Sequence, residues 1–98
     1  MATYSNSLSV HPTLTSTTPD VVTITAGDLL EISNRSTDTV LWVATGNVSG
    51  LAAAASGSRF VAPGESLLID RPGDGVVTLV GNGNAYSVEG VSWRIPAV

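Results

Sequence analysis

VVTITAGDLLEISN, residues Val21–Asn34, is the stretch whose reading decides the fold. Val22 and Ile24 alternate with Thr23 and Thr25, the period-2 pattern of a strand with one buried face. Ala26-Gly27-Asp28 interrupts the run with turn chemistry, and Leu29–Asn34 resumes it with Leu30 and Ile32 on one face. Two short strands joined by a glycine corner point to an all-β chain.

The same grammar continues downstream. Asn34–Asp38 is a polar turn cluster, and Thr39–Ala44 is then apolar on both faces. Such a strand lies inside on both sides, covered by its own loops, or has its outer face covered by a partner. Five residues between Gly50 and Gly57, Leu51–Ala55, are too few for a stable helix despite four alanines. Further strands are expected at Arg59–Ala62, Ser66–Asp70 and Val76–Val80, separated by Pro63-Gly64-Glu65 and Arg71–Gly75. Gly81-Asn82-Gly83-Asn84 reads as a hairpin-type reversal. In the last segment Tyr86 and Val88 occupy even positions, whereas Val91, Trp93 and Ile95 occupy odd ones. A regular strand does not change phase, so a β-bulge at Gly90 is expected. Ala26-Gly27-Asp28-Leu29-Leu30 also echoes Pro63-Gly64-Glu65-Ser66-Leu67-Leu68, either as equivalent corners or as convergent turn chemistry. The expectation is a single antiparallel β-sandwich, jelly-roll or immunoglobulin-like, with seven or eight short strands and structural turns or a bulge at Gly27, Gly64, Gly83 and Gly90.

Residues 1–19 differ in composition. They are rich in Ser, Thr and Pro with isolated apolar positions at Tyr4, Leu8, Val10 and Leu14. This reads as an extended N-terminal arm ahead of a sandwich domain at 20–98, with a short strand possible around Leu8–Val10. Such an arm can add hydrogen bonds to a neighbour's edge strand. Tyr4, Leu8, Val10, Leu14, Val40 and Trp42 are therefore the candidate partner-binding residues.

Composition narrows the function classes. With 98 residues the chain holds one core. It has no cysteine, so a disulfide framework, a thiolate metal site and a Cys nucleophile are excluded together. Four scattered arginines, no lysine and a net charge of −4 leave no cluster to neutralise phosphates, so no nucleic-acid partner is expected. No run approaches the ~18 apolar residues that cross a bilayer, and no membrane partner is expected. The first twenty residues show neither the basic start nor the apolar stretch of a signal peptide. Synthesis in a cytoplasm without general secretory export is the expectation, and the Asn34 and Asn47 sequons then carry no glycan.

Residues suited to chemistry are few. His11 is the single histidine and sits beside Pro12 in the arm, away from any rigid scaffold. No G-x-S-x-G elbow occurs, and Gly81-x-Gly83 lacks the third glycine of a dinucleotide fingerprint. Asp28 with Glu31, and Asp70 with Asp74, flank turns without the spacing of a calcium loop. Catalytic residues, metal ligands and cofactors are all expected to be none. Trp42 and Trp93 are the aromatics of interest: an exposed ring could stack on a sugar, whereas a ring in an apolar strand packs in a core. Tyr4 and Tyr86 carry less information.

Two resemblances add to this reading. Val21–Asn34 is similar to the strand, Gly-Asp, strand, Asn opening of cupredoxins, which implies a sandwich; that family's copper ligands, two His and a Cys, are not present here. More broadly, LEISNRSTDTVLWVATG, RFVAPGESLLI and AYSVEGVSW resemble small β-sandwich virion proteins of tailed bacteriophages. That resemblance implies a structural role as a capsid decoration (cement) protein or a head-fibre component. It implies the major capsid protein and further copies of the chain as partners, in a homotrimer or other symmetric oligomer on the capsid surface of the virion. The alternative is a carbohydrate-binding module or virion adhesion domain that contacts host glycans.

Overall fold

A computed structural model describes residues 1–92 and is all-β. The strands are β1 (Ala2–Asn6), β2 (Ser9–Val10), β3 (Asp20–Ile24), β4 (Leu29–Asn34), β5 (Leu41–Thr45), β6 (Arg59–Val61), β7 (Ser66–Asp70), β8 (Val76–Val80) and β9 (Tyr86–Val91). They form two sheets, ordered β1-β3-β8-β5-β6 and β2-β9-β4-β7. Strand pairs β2/β9, β3/β8, β4/β7 and β5/β6 are all antiparallel. The chain from β2 to β9 is thus one long two-stranded ribbon, folded at β5/β6 and rolled so that alternate pairs fall in opposite sheets. β4/β9 and β5/β8 close the roll. This connectivity is a jelly roll and decides between the two sandwich topologies expected.

Period-2 alternation supplies the core. Val22, Ile24, Leu30, Ile32, Leu41, Val43, Val77, Leu79, Tyr86 and Val88 point between the sheets and are buried. Truncating one of these Leu or Ile side chains to alanine costs about 2–5 kcal/mol, from lost transfer energy and the residual cavity. β5 is apolar on both faces because it is covered on both. Leu41 and Val43 enter the main core, while Ala44 joins Leu51 and Val80 in a second cluster against which Trp42 and Ala55 pack. The 46–58 loop provides that cover. Thr78 holds the start of the loop, donating to the Gly46 carbonyl at 2.7 Å and accepting the Val48 N–H at 2.9 Å.

Several sequence expectations are corrected. Nine strands occur among the described residues, one more than expected at most; β1 is the addition, because Ala2 and Tyr4 are its only inward positions and two are too few to mark a strand in the sequence. β1 pairs parallel with β3, so the sheets are not wholly antiparallel. Residues 1–19 do not project as an arm. β1 and β2 bind the edges of the two sheets on one side of the sandwich, and Leu14 is 3% exposed within the core. Gly90 forms no bulge, since β9 runs in unbroken register with β4 from Tyr86 to Val91. Gly90 lies where β9 crosses close to the β3–β4 corner, and a Cβ there would run into the Ala26 carbonyl oxygen. Trp93 and Ile95, which motivated the phase change, lie outside the described residues. Gly81–Asn84 reverses the chain between sheets and not within a hairpin, because β8 and β9 belong to different sheets.

Gly27 and Gly64 both have positive φ, +87° and +76°, and both lie where the chain passes from the first sheet to the second. They are equivalent corners in that sense, and the strands that follow them, β4 and β7, pair with each other.

Candidate functional site

The two sides of the sandwich are built differently. On one side the N-terminal ribbon covers both sheet edges, and Tyr4 and Val10 pack against the core. On the other side β6 and β7 are the terminal strands of their sheets. Between them lies a cleft of about 800 Å³. Its apolar wall is formed by Leu29, Val43, Leu67 and Ile69, with Arg59 and Asp70 on its polar lips.

Local sequence explains the opening. β6 has only three residues, because Pro63-Gly64 turns the chain away after Val61. That turn closes with the Glu65 N–H on the Ala62 carbonyl at 3.0 Å. β7 reads Ser66-Leu67-Leu68-Ile69-Asp70 and alternates exposed and half-buried positions. Leu67 and Ile69 turn inward and stay half-buried, while Leu68 is 51% exposed on the outer face. Phe60, 63% exposed on the outer face of β6, is the most exposed large apolar residue among the described residues. Its ring stands 5.9 Å from that of Trp42, tilted by 60°.

The residues singled out from sequence scatter over the molecule. Tyr4 and Val10 are half-buried against the core, and Leu14 is fully inside it, so Leu14 is corrected from partner contact to core residue. Leu8 is 62% exposed on the N-terminal side. Val40 is 36% exposed before β5, and Trp42 is half-buried beneath its own loop and Phe60. Gly27, Gly64 and Gly83 all have positive φ at turns. Trp93 lies outside the described residues. Sequence reasoning missed Phe60, Leu68 and Arg59. Phe60 and Leu68 looked like ordinary strand residues, and only edge positions leave their side chains outside.

Polar residues with chemical potential are occupied structurally. His11 Nδ1 accepts from Arg35 Nη1 at 3.3 Å. Asp74 caps its own turn by accepting the Val76 N–H at 3.1 Å. Asn84 Nδ2 donates to Asn34 Oδ1 at 3.1 Å and to the Thr39 carbonyl at 2.8 Å, while Asn34 Nδ2 donates to the Thr39 and Val61 carbonyls. This buried pair fixes one end of the roll. The Tyr86 hydroxyl donates to Asp20 Oδ2 at 2.8 Å inside the core. Burial raises the Asp20 carboxyl above its ordinary 3.8, against the hydrogen bonds from Tyr86 and the Ala2 N–H and the charge of the chain's amino terminus. The Tyr86 phenol is raised well above its ordinary 10.0 by burial first and then by Asp20. Among the described residues no group of three or more His, Asp or Glu side chains is placed to hold a metal ion.

Fold and site together define a small jelly-roll sandwich, closed on one side by its own N-terminus and open on the other at an apolar cleft. Comparisons with protein-family models, with curated proteins and with solved structures return no match.

Proposed function

We propose that this chain is a non-enzymatic structural protein of a virion, of the capsid-decoration kind, which binds the major capsid protein and further copies of itself. The observation that carries this reading is the open β6/β7 side, where Phe60 and Leu68 stand exposed beside a cleft walled by Leu29, Val43, Leu67 and Ile69. Apolar surface gathered at two strand edges is the composition of a protein contact. The jelly roll is also an architecture found in viral capsid and lectin domains, an analogy at the level of fold. The expected location is the capsid surface. Mixing purified chain with intact capsids and pelleting the particles tests it: the chain pellets with capsids in proportion to capsid number. A chain left entirely in the supernatant overturns the reading.

A second reading, a glycan-contacting module, is favoured by one observation, the exposed Phe60 ring beside Trp42. Stacked sugars would change Trp42 fluorescence, and an unresponsive emission across a glycan panel removes this alternative.

A further inference from the structure

We infer that the free edge of β7 is a self-complementary pairing surface through which two copies join about a two-fold axis. This deepens the symmetric-oligomer part of the proposed function and names the surface and its occupant, a second copy of the chain. Main-chain hydrogen bonds fix which groups of β7 are free. The Asn34 N–H donates to the Glu65 carbonyl at 2.9 Å, and the Arg71 N–H to the Asp28 carbonyl at 3.0 Å. Antiparallel bonding alternates by two residues, so within the β4/β7 register Leu67 and Ile69 direct their N–H and C=O groups to β4. Ser66, Leu68 and Asp70 direct theirs to the open edge. Among the described residues no strand pairs with that edge.

Those three residues are evenly spaced about Leu68. An antiparallel copy therefore matches in a single register, with Leu68 opposite the partner's Leu68 and Ser66 opposite the partner's Asp70. All outward N–H and C=O groups of the three residues then find partners across the axis. Charge supports the antiparallel register over a parallel one. It sets each Asp70 carboxylate beside a seryl hydroxyl, whereas parallel pairing would set Asp70 beside Asp70. Side chains agree on both faces. Leu68, exposed in one copy, meets its own equivalent on the outer face. Leu67 meets the partner's Ile69 on the inner face, so that the apolar walls of the two clefts meet along one continuous sheet made by β7 and its copy.

Edge protection is missing where this pairing needs it. Natural edges are blunted by Lys, Pro, bulges or shortness. β2 has two residues and β6 three, so both are blunted by length. β7 has five, with no Pro, Gly or basic residue, and its single charge sits at the end. β1 is as long, but its exposed side chains, Thr3, Ser5 and Asn6, are all polar.

Sedimentation velocity of the full chain over a concentration series tests this, with two variants. The wild type is expected to show a reversible species of twice the chain mass. Leu68→Lys puts like charges on the axis while leaving an exposed position exposed, and is expected to weaken the dimer by roughly a hundredfold or more. Because the chain has no cysteine, Leu68→Cys is a clean reporter and should form a disulfide-linked dimer under mild oxidation. Leu8→Cys, even more exposed and on the opposite side, should not. A wild type that stays monomeric, a Leu68→Lys variant with unchanged association, or equal cross-linking of the two cysteine variants overturns the inference. Capsid pelleting is scored separately: a monomer that pellets with capsids overturns this pairing alone, and a dimer that does not pellet overturns the capsid reading alone.

Discussion

At the scale of single residues, the Asp20–Tyr86 bond and the crowded glycines are the points where a small change has a large effect. Tyr86→Phe leaves the buried Asp20 carboxyl without its 2.8 Å donor, and a loss of about 1–3 kcal/mol is expected in urea unfolding at neutral pH. The pH dependence follows from the direction of the shift. Because the folded-state value of Asp20 is raised above 3.8, its contribution to stability is fully present below that pH. It is lost as pH rises through the folded-state value. Asp20→Asn removes this slope, so the variant should gain on the wild type as urea midpoints are followed from acid to neutral pH. Tyr86 behaves in the same sense at the alkaline end, and its tyrosinate absorbance should appear only as the chain unfolds. Gly90→Ala sets a Cβ against the Ala26 carbonyl and is expected to cost about 1–3 kcal/mol, as overpacking does. Gly64→Ala meets open space and should cost only the strain of its positive φ, about 1–2 kcal/mol.

Among the elements, the N-terminal ribbon has the largest consequence for how the molecule is understood. Its composition suggests an extended arm, yet β1 and β2 finish both sheets on one side and bring Tyr4 and Val10 against the core. Deleting residues 1–10 should therefore lower the thermal midpoint markedly and expose Tyr86 to solvent, readable as increased quenching of its fluorescence by acrylamide. Leu14→Ala should cost about 2–5 kcal/mol, a core loss that no surface contact would produce. A truncated chain with unchanged stability would return the segment to the role of a free arm.

For the whole molecule, the net charge of −4 sets the conditions for association. Two copies repel at long range, and salt screens that repulsion while leaving main-chain pairing intact. The two-chain species should accordingly increase from low to physiological ionic strength in sedimentation. A dimer that dissolves with added salt would instead indicate an interface held by opposite charges.

Alternation at Val22, Ile24, Leu30 and Ile32, broken at Gly27, was enough to predict an all-β sandwich, because side-chain direction in a strand follows residue parity alone. Turns at Gly27, Gly64 and Gly83 are legible for a similar reason, since turn chemistry is local, and the structure adds that all three take positive φ. The lack of cysteine and the scattered arginines were likewise plain from composition. Pairing partners are a different kind of information. The jelly-roll order, the parallel docking of β1 and the burial of Leu14 depend on which distant segment lies alongside. In β1 only Ala2 and Tyr4 face inward, and its main-chain pairing with β3 leaves no further mark in the side chains. Phe60 and Leu68 show the same limit at the candidate site. Their residue types suit a core, and only the position of β6 and β7 at the ends of two sheets puts them on the surface.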